Sequence, residues 1–393
     1  MMRRIKRRLA PMLIGWFWRL LANFSLKSKV IIFESFHGKQ FSCNPKAIYT
    51  YLQQHHPEFK LYWTYDQRYV SAFSPELNLV RRFSLKWFYL LGTSKWLVTN
   101  SRMPSSLPKP KRLVYLQTWH GTPLKKLAFD MDEVHMPGTT REQYLGRFYK
   151  ESRNWDYLLS PSAYSSAIFK RAFQFEKTIV EVGYPRNDVL YAGNNTENID
   201  LLKQKLNLPQ DKKIILYAPT WRDDDYHTVG SYKFDLPLDL LQLQRQHGND
   251  CVIVLRMHYL VAENFDLGAY EGFAYDMSTD VDISELYLVA DLLITDYSSV
   301  FFDYANLGRP MLFYMYDIEK YRDALRGFYF DIESDSPGPI VKNMADLSKR
   351  LNEFFEQNTF TDYAEKYDEF QQKFCRLEDG FAAERFVKQV ITG

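Results

Sequence analysis

The sequence predicts an α/β protein with two domains, each containing a mostly parallel sheet. Short apolar segments rich in Val, Ile, Tyr and Trp alternate with helical segments, which is typical of parallel sheets covered on both faces. A polar stretch without periodicity, 191–200, separates two such series and predicts part of an interdomain connection. Polar residues follow several predicted strands, where open α/β sheets bind ligands. These observations predict two Rossmann-like domains facing each other across a cleft.

Composition indicates a globular protein. The chain has 393 residues, enough for two domains with separate cores, and 46% hydrophobic and 25% charged residues exclude a disordered chain. Three scattered cysteines form no CxxC pair and favour a reducing cytosol over a disulfide framework. The aromatic content of 17% suits contacts with sugars, nucleobases or a membrane interface. The net charge of +2 identifies no partner.

Residues 1–29 are predicted to be a basic, amphipathic membrane-associating segment. They contain eight basic residues, and the first acid is Glu34. Pro11 and Gly15 interrupt the apolar run and Arg19 ends it, short of the roughly 20 apolar residues of a spanning helix. A helix lying in the membrane interface is therefore expected, and a surface helix packed on the protein itself is the alternative. The residues expected to contact lipid are Arg3, Arg4, Arg7, Trp16, Phe17 and Trp18.

The first Rossmann-like domain is predicted over 30–190. Its predicted strands are 30–36, 61–65, 96–100, 113–119, 157–160 and 179–182, and its helices include 44–55, 85–91 and 162–172. The second domain is predicted over 200–393 and is expected to carry a charged helical tail at 344–390. Its predicted strands are 214–218, 252–256, 292–295 and 311–314, with helices at 236–245, 283–289 and 300–307.

A histidine follows the predicted strand 113–119 directly. His120 precedes Gly121 and Thr122, and this position is expected to project the imidazole into the cleft. Neutral imidazole can accept a proton from an alcohol near pH 7, as a general base must. A histidine satisfied by hydrogen bonds in a turn is the alternative. The sequence thus identifies His120 as a candidate base.

Cationic and hydroxyl side chains follow three strands of the second domain. Arg256 and His258 are two apart on one strand, so they share a face and are placed to bind one phosphate. An Arg–carboxylate pair is the structural alternative. Ser298 and Ser299 stand at a predicted helix start, which suits a phosphate but also simple capping.

The strand 214–218 is followed by two further candidates for phosphate or nucleotide binding, Thr220 and Arg222. The acidic triplet 223–225 suits either a divalent metal or, more simply, a solvated loop. No GxxxxGK[ST] loop, no GxGxxG after a strand, no HExxH, no zinc spacing and no GxSxG elbow occurs. Simple ATPase, dehydrogenase and hydrolase activities are disfavoured, and no metal or cofactor is predicted.

Five motifs in order resemble the CDP-glycerol glycerophosphotransferase family, the teichoic acid primases and polymerases. They are 117–125, 183–188, 216–223, 255–258 and 291–303. The resemblance covers the chain from about residue 30 to about residue 330. It implies a GT-B-like fold with the nucleotide held mainly by the carboxyl-terminal half.

The resemblance also implies roles for individual residues. His120 is expected to deprotonate the acceptor hydroxyl, and His258 to contact the donor pyrophosphate. Tyr259 replaces the proline usual after the second histidine. The remaining residues expected at the donor are Thr220, Arg222, Arg256, Asp296, Ser298, Ser299 and Asp303. Those expected on the acceptor side of the cleft are Gly121, Thr122, Lys125 and Arg186.

The implied reaction transfers glycerol phosphate from CDP-glycerol to a hydroxyl of a teichoic acid precursor linked to undecaprenyl diphosphate, releasing CMP. It is expected at the cytoplasmic face of the bacterial membrane, with the chain bound peripherally to anionic lipid and no nucleic acid involved. The alternatives are a CDP-ribitol donor, a nucleotide-sugar glycosyltransferase of GT-B fold, and a non-catalytic scaffold. Primase and polymerase activity both stay open.

Overall fold

The computed structural model of the chain describes residues 13–21, 24–133, 139–220, 226–228, 231–232, 236–257, 267–319 and 327–393. These residues form two compact units. The first contains the described residues up to His120 together with Leu127–Asp188 and Leu377–Gly393, and the second contains Gly121–Lys126 and Val189–Arg376. Each unit is built around its own parallel sheet, so the predicted α/β class is confirmed.

The sheet of the first unit has seven parallel strands in the order β3-β2-β1-β4-β5-β6-β7. Chain order reverses between β1 and β4, and this is where such sheets bind ligands, beyond the carboxyl ends of the strands. β1 is an inner strand of the sheet, and its buried apolar run pairs on both sides, Ile31 with Leu61 and with Trp96. The strands are β1 Lys27–Glu34, β2 Lys60–Tyr65, β3 Leu79–Arg81, β4 Ser94–Thr99, β5 Val114–Gln117, β6 Tyr157–Ser160 and β7 Thr178–Glu181.

Serine and threonine side chains begin several helices of the first unit. The Ser84 hydroxyl accepts a hydrogen bond from Trp87 N–H, and the Ser162 hydroxyl accepts one from Ser165 N–H, which satisfies amides that have no intrahelical partner. The α-helices are 13–21, Cys43–His55, Leu85–Thr93, Arg141–Ser152, Ala163–Ala172 and Ala382–Val387.

The helix at 13–21 corrects one prediction about the membrane. Trp18, expected to insert into lipid, is 7% exposed, and its indole N–H donates to the carbonyl of Pro108 at 3.0 Å. Leu21 is also buried, against Gly92, where a Cβ would overlap its side chain. Trp16 remains 60% exposed, while Arg3, Arg4 and Arg7 lie outside the described residues. In the described part of the chain, no helix combines the length and apolarity needed to cross a bilayer.

The sheet of the second unit has six parallel strands in the order β12-β11-β8-β13-β14-β15. Chain order reverses between β8 and β13, so the carboxyl ends of β11, β8 and β13 lie side by side. A separate two-stranded hairpin follows β8. The strands are β8 Lys213–Tyr217, β9 Tyr226–Thr228, β10 Ser231–Tyr232, β11 Cys251–Leu255, β12 Ala274–Asp276, β13 Leu292–Thr295, β14 Met311–Tyr314 and β15 Ile340–Val341.

The stretch 191–200, predicted to be an aperiodic connection, is largely helical. Asn195 caps the helix Thr196–Lys205, because its side chain accepts a hydrogen bond from Asn198 N–H at 3.0 Å. Asn195, one of the asparagines that indicated a loop, is therefore the residue at which a helix begins. The α-helices that begin in this region and in the rest of the second unit are Asp188–Ala192, Thr196–Lys205, Leu240–His247, Ile283–Val289, Val300–Tyr304, Ile332–Asp335, Met344–Gln357 and Ala364–Phe374.

Two segments differ from the domain boundaries expected from the sequence. The last part of the tail, Leu377–Gly393, belongs to the first unit: Asp188 accepts hydrogen bonds from Ala382 N–H and Ala383 N–H at 2.9 and 2.8 Å. Conversely, Gly121–Lys126 belongs to the second unit, where Lys126 N–H donates to the Gly327 carbonyl at 2.9 Å. Local composition does not indicate that either segment belongs to the other unit, because each assignment depends on contacts between residues far apart in the chain.

Candidate active site

Two strained turns lie at the carboxyl ends of the central strands of the first unit. After β1, Phe36 and His37 have positive φ values of 45° and 61°, a backbone region unfavourable to residues with a Cβ. Phe36 N–H donates to Asn100 Oδ1 at 2.8 Å, and His37 N–H donates to Ser101 Oγ at 2.9 Å. Both acceptors directly follow β4 and are buried. The first turn is therefore held by side chains of the neighbouring strand end.

The second strained turn follows β5 and carries His120. Trp119 has a φ of 51° and is buried, and its N–H donates to Gln117 Oε1 at 2.9 Å. The amide nitrogen of Asn44 donates to the carbonyl of Thr118 at 3.1 Å. The Trp119 indole stacks on the His120 imidazole, with ring centres 4.6 Å apart and planes 16° apart. The side chain predicted to be the base is thus oriented by its neighbours.

Arg186 completes this turn. Its guanidinium Nη1 donates to the His120 carbonyl at 2.7 Å, and its backbone N–H donates to Asn44 Oδ1 at 3.2 Å. The structure therefore brings together two of the residues predicted from separate motifs. Arg186 contacts the backbone of His120 and places a fixed positive charge near the imidazole.

The electrostatic environment keeps His120 uncharged at neutral pH. Solvent reaches the imidazole, but the surrounding protein disfavours the charged form. That desolvation first, and the Arg186 cation second, lower the pKa of His120 from 6.5 to about 4. A general base must be unprotonated before the reaction begins. The site meets this requirement throughout the physiological pH range.

In the second unit, an aspartate joins the ends of β8 and β13. Asp296 is buried, and its Oδ1 accepts a hydrogen bond from Thr220 N–H at 2.7 Å. Next to this contact, the Thr295 hydroxyl donates to the carbonyl of Ala218 at 2.7 Å. Two residues predicted to bind the donor, Thr220 and Asp296, therefore lie together at the point where the strand order reverses.

Arg256 lies at the end of the adjacent strand β11. Its N–H donates to the Tyr217 carbonyl at 2.9 Å, and its Nη1 donates to the Met277 carbonyl at 2.6 Å. Among the described residues it forms no ion pair with a carboxylate, so the structural alternative of an Arg–carboxylate pair is not what the structure shows. Burial lowers the pKa of its guanidinium, but a group with so high a reference value stays cationic. A charged donor is thus held beside β8.

Ser298 and Ser299 follow Asp296 and are half-buried. Ser299 precedes the helix Val300–Tyr304, yet its hydroxyl makes no capping hydrogen bond. Simple capping therefore does not explain this serine. Gly121 lies close to it: a Cβ on Gly121 would come within 3.2 Å of Ser299 Oγ. The predicted helix 300–307 is interrupted, because Ala305–Leu307 forms a 3-10 turn.

The other predicted site residues are distributed as follows. Asp303 is buried in the short helix after Ser299. Thr122 is buried and Lys125 pairs with Phe328 through a backbone bridge in the second unit. His258 and Arg222, together with the acidic triplet 223–225, lie outside the described residues. Within the described ranges, no cluster of three or more His, Cys, Asp or Glu side chains is suited to hold a metal ion.

Sequence reasoning missed the residues that shape the two strained turns. His37 follows β1 as His120 follows β5, so the same strand-end signal was available for it. Gln117 lies within a recognised motif, but its role depends on a backbone conformation that the motif does not reveal. Asn44 and Asn100 contact other segments of the chain, and nothing local identifies them. The missed residues are His37, Asn44, Asn100, Ser101 and Gln117.

Comparison with known proteins gives concordant results. A family model described as CDP-Glycerol:Poly(glycerophosphate) glycerophosphotransferase matches residues 17–392. The chain is 55% identical over 375 residues to the teichoic acid poly(glycerol phosphate) polymerase of Bacillus subtilis (strain 168), covering 95% of this chain and 50% of that protein. It is 47% identical to the teichoic acid glycerol-phosphate transferase of Staphylococcus aureus (strain NCTC 8325 / PS 47), covering 95% and 96%. The chain thus spans about half of the first relative and nearly all of the second.

Solved structures agree with this assignment. The wall teichoic acid polymerase TagF superimposes with a TM-score of 0.89 at 41% identity, covering 100% of this chain and 98% of that one. A putative UDP-N-acetylglucosamine 2-epimerase from Listeria monocytogenes has a TM-score of 0.54 at 14% identity, covering 92% and 96%. The epimerase shows the fold alone, and it supports the predicted GT-B-like class. The predicted family and enzyme class are confirmed: the chain belongs to the CDP-glycerol:poly(glycerophosphate) glycerophosphotransferase family.

Proposed function

We propose that this chain transfers glycerol phosphate from CDP-glycerol to a hydroxyl of a teichoic acid precursor and releases CMP. Three relatives at 47–55% identity are named for glycerol phosphate, whereas two relatives named for ribitol phosphate are 27–29% identical, in the same range as two glycerol-phosphate primases at 30–32%. A solved structure of the TagF polymerase was obtained after a soak with CDPG. These likenesses favour glycerol over ribitol in the donor.

The observation that carries the proposal is the position of His120 on a strained turn that buried side chains hold by hydrogen bonds. The acceptor hydroxyl oxygen attacks the β-phosphorus of the donor and forms a new P–O bond. The bond between that phosphorus and the oxygen bridging to CMP breaks, and CMP leaves with the electron pair. His120 accepts the hydroxyl proton on its imidazole, on which the Trp119 indole stacks, while Arg186 holds the backbone carbonyl of the same residue. Orientation and a neutral base together lower the barrier.

The phosphates of the donor require positive charge and hydrogen-bond donors in the transition state. In this proposal Arg256 supplies the charge, and the hydroxyls of Ser298 and Ser299 supply short-range donors. Asp296, with Thr220, shapes the donor pocket at the ends of β8 and β13. The resemblance adds His258 to the phosphate contacts, with Arg222 and Asp303 nearby.

The acceptor is proposed to be carried on undecaprenyl diphosphate, so the enzyme would work at the cytoplasmic face of the membrane. The helix at 13–21 leaves Leu13 65%, Trp16 60% and Leu20 43% exposed beside the exposed Arg19. An apolar and basic surface of this kind binds anionic bilayers. Trp16→Ser is expected to weaken sedimentation with phosphatidylglycerol vesicles, whereas Phe381→Ser, at another aromatic residue 59% exposed, leaves it unchanged. Equal sedimentation of both variants would argue against this membrane surface.

Donor turnover tests the function directly. The purified chain is incubated with a lipid-linked acceptor and, separately, with CDP-glycerol, CDP-ribitol and a set of UDP-sugars. CMP release from CDP-glycerol, with an acceptor heavier by glycerol phosphate units, is the expected result. The number of units added distinguishes a primase from a polymerase. CMP from CDP-ribitol alone would change the donor, and UDP release alone would overturn the proposal in favour of a glycosyltransferase.

A further inference from the structure

The tail segment, Leu377–Gly393, has no part in the mechanism above, yet it carries a buried carboxylate. Glu378 is 8% exposed, and a carboxylate in such a position is costly unless hydrogen bonds satisfy its oxygens. Glu378 Oε1 accepts a hydrogen bond from Tyr184 N–H at 3.1 Å, and Glu378 Oε2 accepts one from Asn187 Nδ2. Both donors belong to the motif 183–188, 194 and 191 residues earlier in the chain.

The tail segment also contacts both ends of this motif. At its start, Gly183 has a φ of 88°, and a Cβ there would lie 2.9 Å from the carbonyl oxygen of Leu377. A residue with a side chain would therefore strain the backbone and displace the tail segment. At its end, the carboxylate of Asp188 accepts hydrogen bonds from the first two N–H groups of the helix Ala382–Val387. The motif is thus attached to the tail segment along its whole length.

Between these contacts, Arg186 reaches the turn that carries His120. The Arg186 guanidinium lies over the fully buried Tyr184 ring, with Cζ 4.8 Å from the ring centre. Its Nη1 donates to the His120 carbonyl at 2.7 Å. Tyr184 therefore connects two contacts, because Glu378 binds its amide and the Arg186 guanidinium packs on its ring.

A role of Glu378 in attaching the tail segment is the structural alternative. Other contacts already serve that purpose. Arg385 Nη2 donates to the Val182 carbonyl at 3.0 Å, and Phe386 and Val387 are fully buried in the core of the first unit. Burial of two such apolar side chains stabilises the attachment by several kcal/mol, at about 1.5–3 kcal/mol each. Attachment of the tail segment therefore does not depend on a buried carboxylate.

We propose that Glu378 is a positioning residue for the transfer reaction, which holds the motif 183–188 so that Arg186 supports the backbone of His120. The inference rests on the proposed function, in which His120 is the base, and adds that the tail segment helps to orient this base. A base that is slightly displaced reacts slowly, and hydrogen bonds to a carboxylate are stronger than those to a neutral acceptor. Glu378 acts through Arg186 and is assigned no contact with either substrate.

Steady-state kinetics of two Glu378 variants tests the role. Glu378→Ala removes both acceptors and should lower kcat about tenfold, because the base is displaced. Glu378→Gln keeps an oxygen that can accept from Tyr184 N–H, so it should lower kcat only about threefold. The KM values for CDP-glycerol and acceptor should change less than twofold. Glu384→Ala is the control, because Glu384 lies in the same segment but pairs with Lys388 on the helix surface.

A double-mutant cycle tests whether Glu378 acts through Arg186. In an Arg186→Gln background, Glu378→Ala should lower kcat less than twofold, because the contact that it supports is already lost. A full tenfold loss in both backgrounds would overturn the inference and assign Glu378 a structural role independent of Arg186. Thermal unfolding of each variant checks that the fold is retained. If Glu378→Ala does not fold, the cycle is measured with Glu378→Gln, whose threefold loss should likewise vanish.

A spectroscopic measurement separates this inference from the proposed function. The ¹H–¹³C signal of His120 Cε1, assigned by its absence in His120→Ala, reports on the imidazole environment at neutral pH without substrate. Glu378→Ala and Arg186→Gln should both shift this signal in the same direction, whereas Glu384→Ala should leave it unchanged. That result supports the positioning role even if CDP-glycerol is not the donor. An unchanged signal in folded Glu378→Ala would contradict it, whatever donor the turnover assay identifies.

Discussion

The two sheets place polar residues at equivalent positions, beyond the carboxyl ends of their central strands, but they do so by different means. In the first unit, residues with side chains adopt positive φ values, and buried amide and hydroxyl groups hold them. In the second unit, the described residues that follow β8, β11 and β13 all have negative φ values. The second unit instead has a close approach between two residues: a Cβ on Gly121 would lie 3.2 Å from Ser299 Oγ. In the proposed mechanism, the strained backbone of the first unit orients the base, whereas the unstrained strand ends of the second unit bind the donor.

The largest expected effect is the loss of the base itself. His120→Ala should reduce kcat by about 10³, within the range typical of general bases, because no other described group takes the proton in the proposed mechanism. Affinity for CDP-glycerol should change little, since that ligand is assigned to the second unit. Rates of CMP release and equilibrium binding of CDP-glycerol measure the two effects. His55→Ala is the control, and a His120→Ala enzyme with the wild-type kcat would show that His120 is not the base.

The next effect concerns the support of the strained turn. Asn44 is fully buried and hydrogen-bonds the carbonyl of Thr118 and the amide of Arg186. Asn44→Ala should lower the free energy of unfolding by about 1–3 kcal/mol, the usual cost of unpaired buried groups. It should also lower kcat about tenfold or more, because a displaced base reacts slowly. Denaturant unfolding and CMP release measure the two quantities.

The control for this variant is Asn154→Ala, at a residue with only a weak, exposed hydrogen bond. It should change neither quantity appreciably. If Asn44→Ala loses stability but keeps the wild-type kcat, then Asn44 is structural and the strained turn does not depend on it to orient His120.

Much of the fold was predictable because the inner strands are apolar and buried on both faces. The strands at 157–160, 292–295 and 311–314 were predicted with their observed bounds. The short edge strands β3, β12 and β15 were missed, since two or three residues carry no periodicity.

Residues of the candidate site could be predicted only where their position in the local sequence, directly after a strand, indicates their role. His120 and Arg256 directly follow strands, so their position indicates their role. Asn44 could not be identified, because its partners lie about 75 and 142 residues away. Trp18 was assigned to the membrane because composition alone does not reveal which side of a short helix packs on the protein.

A smaller effect tests the second unit. Gly121→Ala should raise the KM for CDP-glycerol about fivefold, because the added Cβ approaches Ser299 Oγ at 3.2 Å and overpacking costs on the order of 1 kcal/mol. In a Ser299→Ala background the same substitution should cost less, and the double-mutant cycle isolates that coupling. Gly146→Ala is the control, because a Cβ there meets nothing within 4 Å. Strict additivity of the two substitutions would show that this contact does not shape the donor site.

The smallest expected effect is a shift in the pH dependence of kcat/KM. It tests the electrostatic environment that the first unit gives to His120. The base must be neutral, and its pKa is lowered to about 4, so kcat/KM should be level at neutral pH and fall only as the pH approaches 4. Arg186→Gln removes the cation that contributes second to this lowering, so the acidic limb should move upward, toward 6.5. Arg186→Lys keeps a positive charge and should leave the limb near its wild-type position while still losing part of kcat. A limb that stays in place in Arg186→Gln would show that desolvation alone keeps His120 neutral, and that Arg186 acts on the backbone of the turn only.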